Sequence, residues 1–342
     1  MKLTWRWFGE GDTVSLEQIK QIPVIEGIVG TLEGKPAGEV WSVADFVGIK
    51  QTVEAQGLSL DVIESIAVHE AIKKGLPERD ALIDAFCESI RNMGKVGIPV
   101  LCYNFMPVFD WMRTNLVYQL ADKSMVTLYD HQAMLDYDLS QGFEARVAWA
   151  HGFTGEQVQA VLAEYSQIDE DALFKNFVYF LERVIPVAEE AGVFLAVHPD
   201  DPPWSIMGLP RIVRDAKSIQ RIFDAVPSRH NGLTFCTGSL GTSPDNDLPA
   251  MVHQFADRIH FVHLRNVALT GFQSFYEVAH TDSTHIDMPA IMQALIDIGF
   301  EGPLRPDHGR MIWGETGRVG YGLYDRALAA MYLYGLWQGL KR

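Results

Sequence analysis

Gly192-Val193-Phe194-Leu195-Ala196-Val197-His198 runs a glycine, five apolar residues and a histidine together. Five apolar residues in a row are short for a buried helix and sufficient for a strand covered on both faces. Before them, Asp171–Ala191 carries apolar residues at three- and four-residue intervals, the spacing of an amphipathic helix. Helix, glycine, strand and polar tip form the repeating unit of a parallel α/β sheet, where glycine ends the helix in a left-handed turn.

Outward from this segment the unit recurs. Apolar or β-branched runs occur at Leu3–Phe8, Val24–Thr31, Leu58–Glu64, Ile98–Asn104, Val193–His198, Leu233–Cys236, Ile259–Leu264 and Pro303–Asp307. Helical spacing fills Ser42–Gln56, Glu78–Val96, Asp171–Ala191, Ser218–Ala225 and Met288–Ile298, and Gly57, Gly97, Gly192, Gly232 and Gly302 precede five of the strands. Eight strands alternating with helices close into a (β/α)8 TIM barrel. Two places fit less well. The first connection is short of helical pattern, and Pro303 and Pro306 cannot donate ladder hydrogen bonds. A strand of a few residues from one proline to the other is compatible with both.

A barrel of this type takes about 250 residues, so 342 residues imply one domain, 1–342, with an insertion. The insertion falls at 106–170, after the fourth strand, and is expected to be helical, serving as a lid or an oligomer contact; Trp111, Arg113, Tyr129, His131, Tyr137 and Trp149 lie in it. The formal charge of −16, from 28 basic and 44 acidic side chains, disfavours nucleic acid and anionic lipid as partners. It leaves room for a small anionic substrate, because a local cation reverses the field within one pocket. No run reaches the ~20 apolar residues of a membrane span, and Met1-Lys2-Leu3-Thr4-Trp5-Arg6 lacks a signal-peptide core. The expected location is the cytoplasm. Cys87 and Cys102 read as core thiols, and three widely spaced cysteines are no disulfide framework.

His198, Cys236, His263 and Asp307 stand at the C-terminal tips of the last four strands. Neighbouring tips of a small barrel are close enough for the four side chains to meet. Alternation puts His198 on the face of Ala196 and Phe194, Cys236 with Thr234, and His263 with Phe261 and Ile259. Thiolate, imidazole and carboxylate together make a mixed site for Zn, Fe or Mn. Each alone has an ordinary structural explanation; four on consecutive strand ends point to one divalent ion. Around them, His198-Pro199-Asp200-Asp201-Pro202-Pro203 is a stiff acidic turn, Arg265 and Asn266 follow His263, and His308 and Arg310 follow Asp307. Further candidates for contact with a polyhydroxylated acid are Arg6, Trp7, Glu64, Ser65, His69, Asn104, Trp111 and Arg113. Arg6 equally suits an ion pair, Trp7 a core position and His69 a place inside a helix.

Tyr103-Asn104-Phe105-Met106-Pro107, Val197-His198-Pro199-Asp200-Asp201-Pro202-Pro203, Phe235-Cys236-Thr237-Gly238-Ser239, Phe261-Val262-His263-Leu264-Arg265-Asn266 and Arg305-Pro306-Asp307-His308-Gly309-Arg310 resemble, in order and over nearly the whole chain, the mannonate dehydratase family of xylose-isomerase-like barrels. The resemblance implies conversion of D-mannonate to 2-keto-3-deoxy-D-gluconate in hexuronate (glucuronate) catabolism, with Mn²⁺ or Fe²⁺. It implies metal ligation by His198, Cys236, His263 and Asp307. It also implies acid–base roles for His308 and for a tyrosine in Gly320-Tyr321-Gly322-Leu323-Tyr324, with Tyr321 favoured because it directly follows a glycine and Tyr324 open. Which of the pair is acid and which base stays open. The alternative is a metal-dependent sugar isomerase or epimerase on the same barrel. A homo-oligomer, a dimer favoured, is expected from the insertion and the aromatic tail Tyr332-Leu333-Tyr334-Gly335-Leu336-Trp337.

Overall fold

The structure, a computed structural model, describes residues 1–138 and 154–341. Its strands are β1 (Lys2–Arg6), β2 (Gly27–Gly30), β3 (Ser59–Glu64), β4 (Val100–Tyr103), β5 (Asn115–Gln119), β6 (Met125–Tyr129), β7 (Phe194–Val197), β8 (Asn231–Cys236), β9 (Ile259–Leu264), β10 (Asn266–Gly271), β11 (Ser274–Val278) and β12 (Pro303–Pro306). Eight of them close into a parallel barrel in the order β1-β12-β9-β8-β7-β4-β3-β2, which fulfils each of the eight strand expectations. β12 does run from proline to proline. Leu304 pairs with Leu3 and Val262, and Arg305 with His263, so this short strand still closes the cylinder. The first connection holds only a five-residue helix, Leu16–Lys20, which explains its weak periodicity.

Helices wrap the barrel through one large apolar layer, while Val29, Val62, Val100, Cys102, Ala196 and Phe261 form a separate cluster in the lumen. That cluster fixes facing. Ala196 and Phe261 point inward, so His198 and His263, two residues further along the same strands, lie above them at the C-terminal mouth. Left-handed turns at Gly57, Gly97 and Gly192 deliver the chain into β3, β4 and β7 as expected. Gly232 does something else. It lies within β8, where a Cβ would run into the His260 ring and the Arg258 carbonyl, so it permits close strand packing. Gly302 likewise has no left-handed turn; the helix Met288–Asp297 is followed by one at Gly299 instead.

The 106–170 insertion contains the helices His131–Leu135 and Gly155–Tyr165, and also strands that the sequence reading did not single out. β5 and β6 pair antiparallel, and β6 pairs with β11 of the β10–β11 hairpin, giving a four-stranded sheet in the order β10-β11-β6-β5. Two widely separated segments thereby build one platform beside the barrel mouth. Trp149 lies outside the described residues. Among the described residues no helix is long and apolar enough to cross a membrane.

Candidate active site

His198, Cys236 and His263 present donor atoms all within 4.8 Å of one another. Asp307 completes the set, with its Oδ2 3.7 Å from Cys236 Sγ and its Oδ1 3.8 Å from His263 Nδ1. Metal bonds of about 2.0–2.3 Å place neighbouring ligands about 3–4 Å apart, so the spacing suits a single ion. The surroundings suit it as well. His263 Nε2 is buried without a hydrogen-bond partner. His198 Nδ1 lies 2.6 Å from the Pro199 carbonyl, an acceptor that commits that nitrogen to donation and leaves Nε2 for the site.

The electrostatics agree. Burial and Asp307 push the Cys236 thiol up, but His198 and Arg265 outweigh them and bring it down to about 5. Burial works against a charged His198, yet the Cys236 thiolate lifts it to about 9. Burial likewise opposes ionisation of Asp307, and His308, Arg305 and His263 still hold its carboxylate well below the usual range. Two anions packed against a retained proton in a dry pocket are what a cation site looks like before the cation replaces the proton.

A cavity of about 470 Å³ opens beside these residues. Of the sequence candidates, Arg6, Ser65, Asn104, Trp111, Arg265, His308 and Tyr321 line it together with His198 and Asp307. His308 Nε2 lies 3.0 Å from the Tyr321 hydroxyl and 3.1 Å from Trp111 Nε1. The Gly309 amide donates to the Gly320 carbonyl at 2.8 Å, which pins the tyrosine loop to the histidine loop. Tyr324 begins the C-terminal helix, 43% exposed and tilted against Trp313, while Tyr321 is the tyrosine that lines the cavity.

Cys236 and His263 lie behind the lining, and five of the substrate-contact candidates fall outside it. Trp7 is buried in the apolar layer, the ordinary fate of a strand-end tryptophan. His69 caps the helix Glu70–Lys74, its Nδ1 accepting from the Ala71 amide. Asn266 is spent on the hairpin, donating to the Ala279 and Asp282 carbonyls and accepting from Thr284. Arg310 is held by Asp325 and Asp122. Arg113 is wholly buried behind the cavity, forked onto Asp201 at 2.8 and 3.1 Å.

Glu64, at the tip of β3, joins the site as a candidate, and Arg305 from within β12 and Arg318 from a loop enter where no strand-tip rule pointed. Arg305 Nη1 lies 2.8 Å from Asp307 and its Nη2 3.1 Å from Glu64. Glu64 reaches within 3.6 Å of His263. Arg318 lines the mouth, paired with Glu33 at 2.6 Å. Arg6, Arg265, Arg305 and Arg318 bring four guanidiniums to the lining, interleaved with the carboxylates of Glu33, Glu64, Asp110, Asp201 and Asp307. Glu277 of β11 touches His308. Its only trace in sequence is a carboxylate within the apolar run Phe275-Tyr276-Glu277-Val278.

The closed barrel, with thiolate, imidazole and carboxylate donors at its C-terminal mouth, defines a barrel enzyme with a candidate metal centre. A family model described as D-mannonate dehydratase (UxuA) matches residues 1–342. A curated mannonate dehydratase of Thermotoga neapolitana is 52% identical, covering 100% of this chain and 98% of the relative. The crystal structure of mannonate dehydratase from Streptococcus suis serotype 2 superposes with a TM-score of 0.90 at 44% identity, covering 100% of this chain and 94% of that one. A xylose isomerase domain protein from Planctomyces limnophilus shares the fold alone, at a TM-score of 0.59 and 13% identity, covering 99% of this chain and 98% of that one. The chain belongs to the D-mannonate dehydratase family, and its activity is that of a hydro-lyase.

Proposed function

We propose that this dehydratase removes water from D-mannonate at the cavity described above, with one divalent ion, Mn²⁺ or Fe²⁺, held by His198, Cys236, His263 and Asp307. The observation that carries this reading is the meeting of those four donors with the His308–Tyr321 pair at one barrel mouth. The reaction takes the proton from C2 and the hydroxyl from C3. The C–H electron pair becomes the C2–C3 double bond, the C3–O bond breaks, and the protonated oxygen leaves as water. The resulting enol then becomes the 2-keto acid as its C2 hydroxyl loses a proton and C3 gains one.

The C2 proton is weakly acidic because the adjacent carboxylate is already negative. A bound divalent ion supplies Lewis-acid stabilisation of the charge that develops there. The buried guanidiniums of Arg265 and Arg305 add fixed positive charge without reorganising. His308 and Tyr321 supply the two proton-transfer groups the reaction needs, one for C2 and one for the departing hydroxyl. At 3.0 Å a proton can also pass between them, resetting the pair for the next turnover. Arg6, Ser65, Asn104 and Trp111 bind the hydroxyls and carboxylate along the cavity wall. The volume falls within the range of about 300–1,000 Å³ for small-ligand sites.

Purified protein incubated with D-mannonate and Mn²⁺ or Fe²⁺ should form a 2-keto-3-deoxy acid. Absence of product with both ions overturns the reading. His308→Asn should keep its metal and lose turnover. We further propose that the 106–170 segment acts as a lid, since its Trp111 reaches His308, and that the protein is a homodimer; light scattering of the purified chain tests the second point.

A further inference from the structure

We propose that Glu277, on the hairpin outside the barrel, is the positioning residue that fixes the ring orientation and tautomer of His308, presenting its Nε2 lone pair to Tyr321 and the cavity. The proposal rests on the proton-transfer reading of His308 given above.

Two contacts argue for it independently. At one end of the ring, Glu277 Oε1 lies 2.6 Å from His308 Nδ1, with Glu277 1% and His308 2% exposed. An ionised carboxylate only accepts, so the proton between the two atoms belongs to Nδ1. A bare Nδ1 would set two lone pairs against each other at short range in a dry site. At the other end, Trp111 Nε1 lies 3.1 Å from His308 Nε2. An indole N–H only donates, so Nε2 must carry the lone pair. Both ends specify the same tautomer.

The surrounding charges keep Glu277 ionised. Arg113 Nη2 lies 3.5 Å from its Oε1 and Arg265 Nη1 3.7 Å. Burial pushes the Glu277 carboxyl up, but His308, Arg265 and Arg113 prevail and hold it below its ordinary value. Arg265 Nη1 also stands 3.0 Å from Nδ1, yet its guanidinium has the carboxylates of Asp201 at 2.6 Å and Asp307 at 3.4 Å as stronger acceptors than a ring nitrogen. Asp201 is shared with Arg113, whose Nε donates to Thr127 of β6. Two guanidiniums and two carboxylates thus form a charge-balanced cluster behind the His308 ring. The four-stranded sheet supplies Glu277 and Thr127 to it, which gives the platform beside the barrel a purpose in the chemistry.

Three variants and one spectrum test this. Glu277→Ala should lower kcat by about 10²-fold while KM stays within about threefold and metal content is unchanged. Glu277→Gln, which keeps an acceptor oxygen for Nδ1–H, should recover most of that loss. In a His308→Asn background, Glu277→Ala should cost nothing more. In the unmodified protein, ¹⁵N-histidine labelling with Zn²⁺ bound should show the His308 signals, identified by their loss in His308→Asn, as Nδ1–H and bare Nε2. A Glu277→Ala enzyme within about threefold of the original kcat overturns the proposal, as does a further loss in the His308→Asn background. So does an Nε2–H tautomer, a result that stands even if the alanine variant fails to fold. Full turnover by His308→Asn alone would instead sink the proton-transfer reading, leaving the spectrum to decide the Glu277 contact.

Discussion

Gly238 packs behind the active site against Arg265, where one added methyl group has no room. It follows Thr237 at the tip of β8, against the buried side chain of Arg265. A Cβ at 238 would overlap Arg265 Nε and lie 2.6 Å from its Cζ and 2.7 Å from its Cδ. The arginine must therefore move by about 1 Å in a core that yields little. It cannot do so cheaply, because Asp201 at 2.6 Å and Asp307 at 3.4 Å hold its guanidinium and the His308 ring leaves no room beside it. Overpacking costs about 1–3 kcal/mol and breaking a buried ion pair about 3–5 kcal/mol. With partial relaxation, Gly238→Ala should lose about 3 kcal/mol of stability. An unfolding entropy of about 2.1 cal/mol/K per residue over 342 residues converts this to a fall of about 4 °C in Tm. The displaced guanidinium should also cost about 10²–10³-fold in kcat. Thermal melts and the keto-acid assay read both quantities. A variant with unchanged Tm and kcat would refute the packing around Arg265. Gly335→Ala serves as the control, because a Cβ in the middle of the C-terminal helix meets nothing. It should gain about 0.5–1 kcal/mol.

Cys236→Ala should lose most of its bound metal by elemental analysis; equal content would remove the thiol from the ligand set. His260 is half-buried, its Nε2 on the Arg229 carbonyl, and desolvation lowers it from 6.5 to about 4. The folded chain keeps it neutral while the unfolded chain protonates it, so stability falls as pH drops below about 6.5 and the loss levels off near 4. At 1.36 kcal/mol per pH unit the contribution is about 3 kcal/mol; an NMR midpoint for His260 at 6 or above would contradict it. Arg310→Ala should leave KM within about twofold, because its guanidinium is engaged by Asp325 and Asp122 outside the cavity. A large rise in KM would return it to the substrate.

The sequence alone determined the barrel and the four donors at its mouth. Strand runs, helical spacing and residue parity are local periodicities, and a strand such as Val193–His198 declares its own length, facing and tip. Tertiary structure decided what the strand tips would be joined by. Glu277 and Arg113 lie far from His308 in the chain, and reach it or its neighbours because β11 pairs with β6, a long-range register that no local pattern encodes. The same holds in reverse for Arg310 and Asn266. Both follow metal-type residues closely in sequence, yet each turns to partners that only the folded chain brings near. Periodicity specifies which way a side chain faces; which charge it meets depends on pairing across the whole fold.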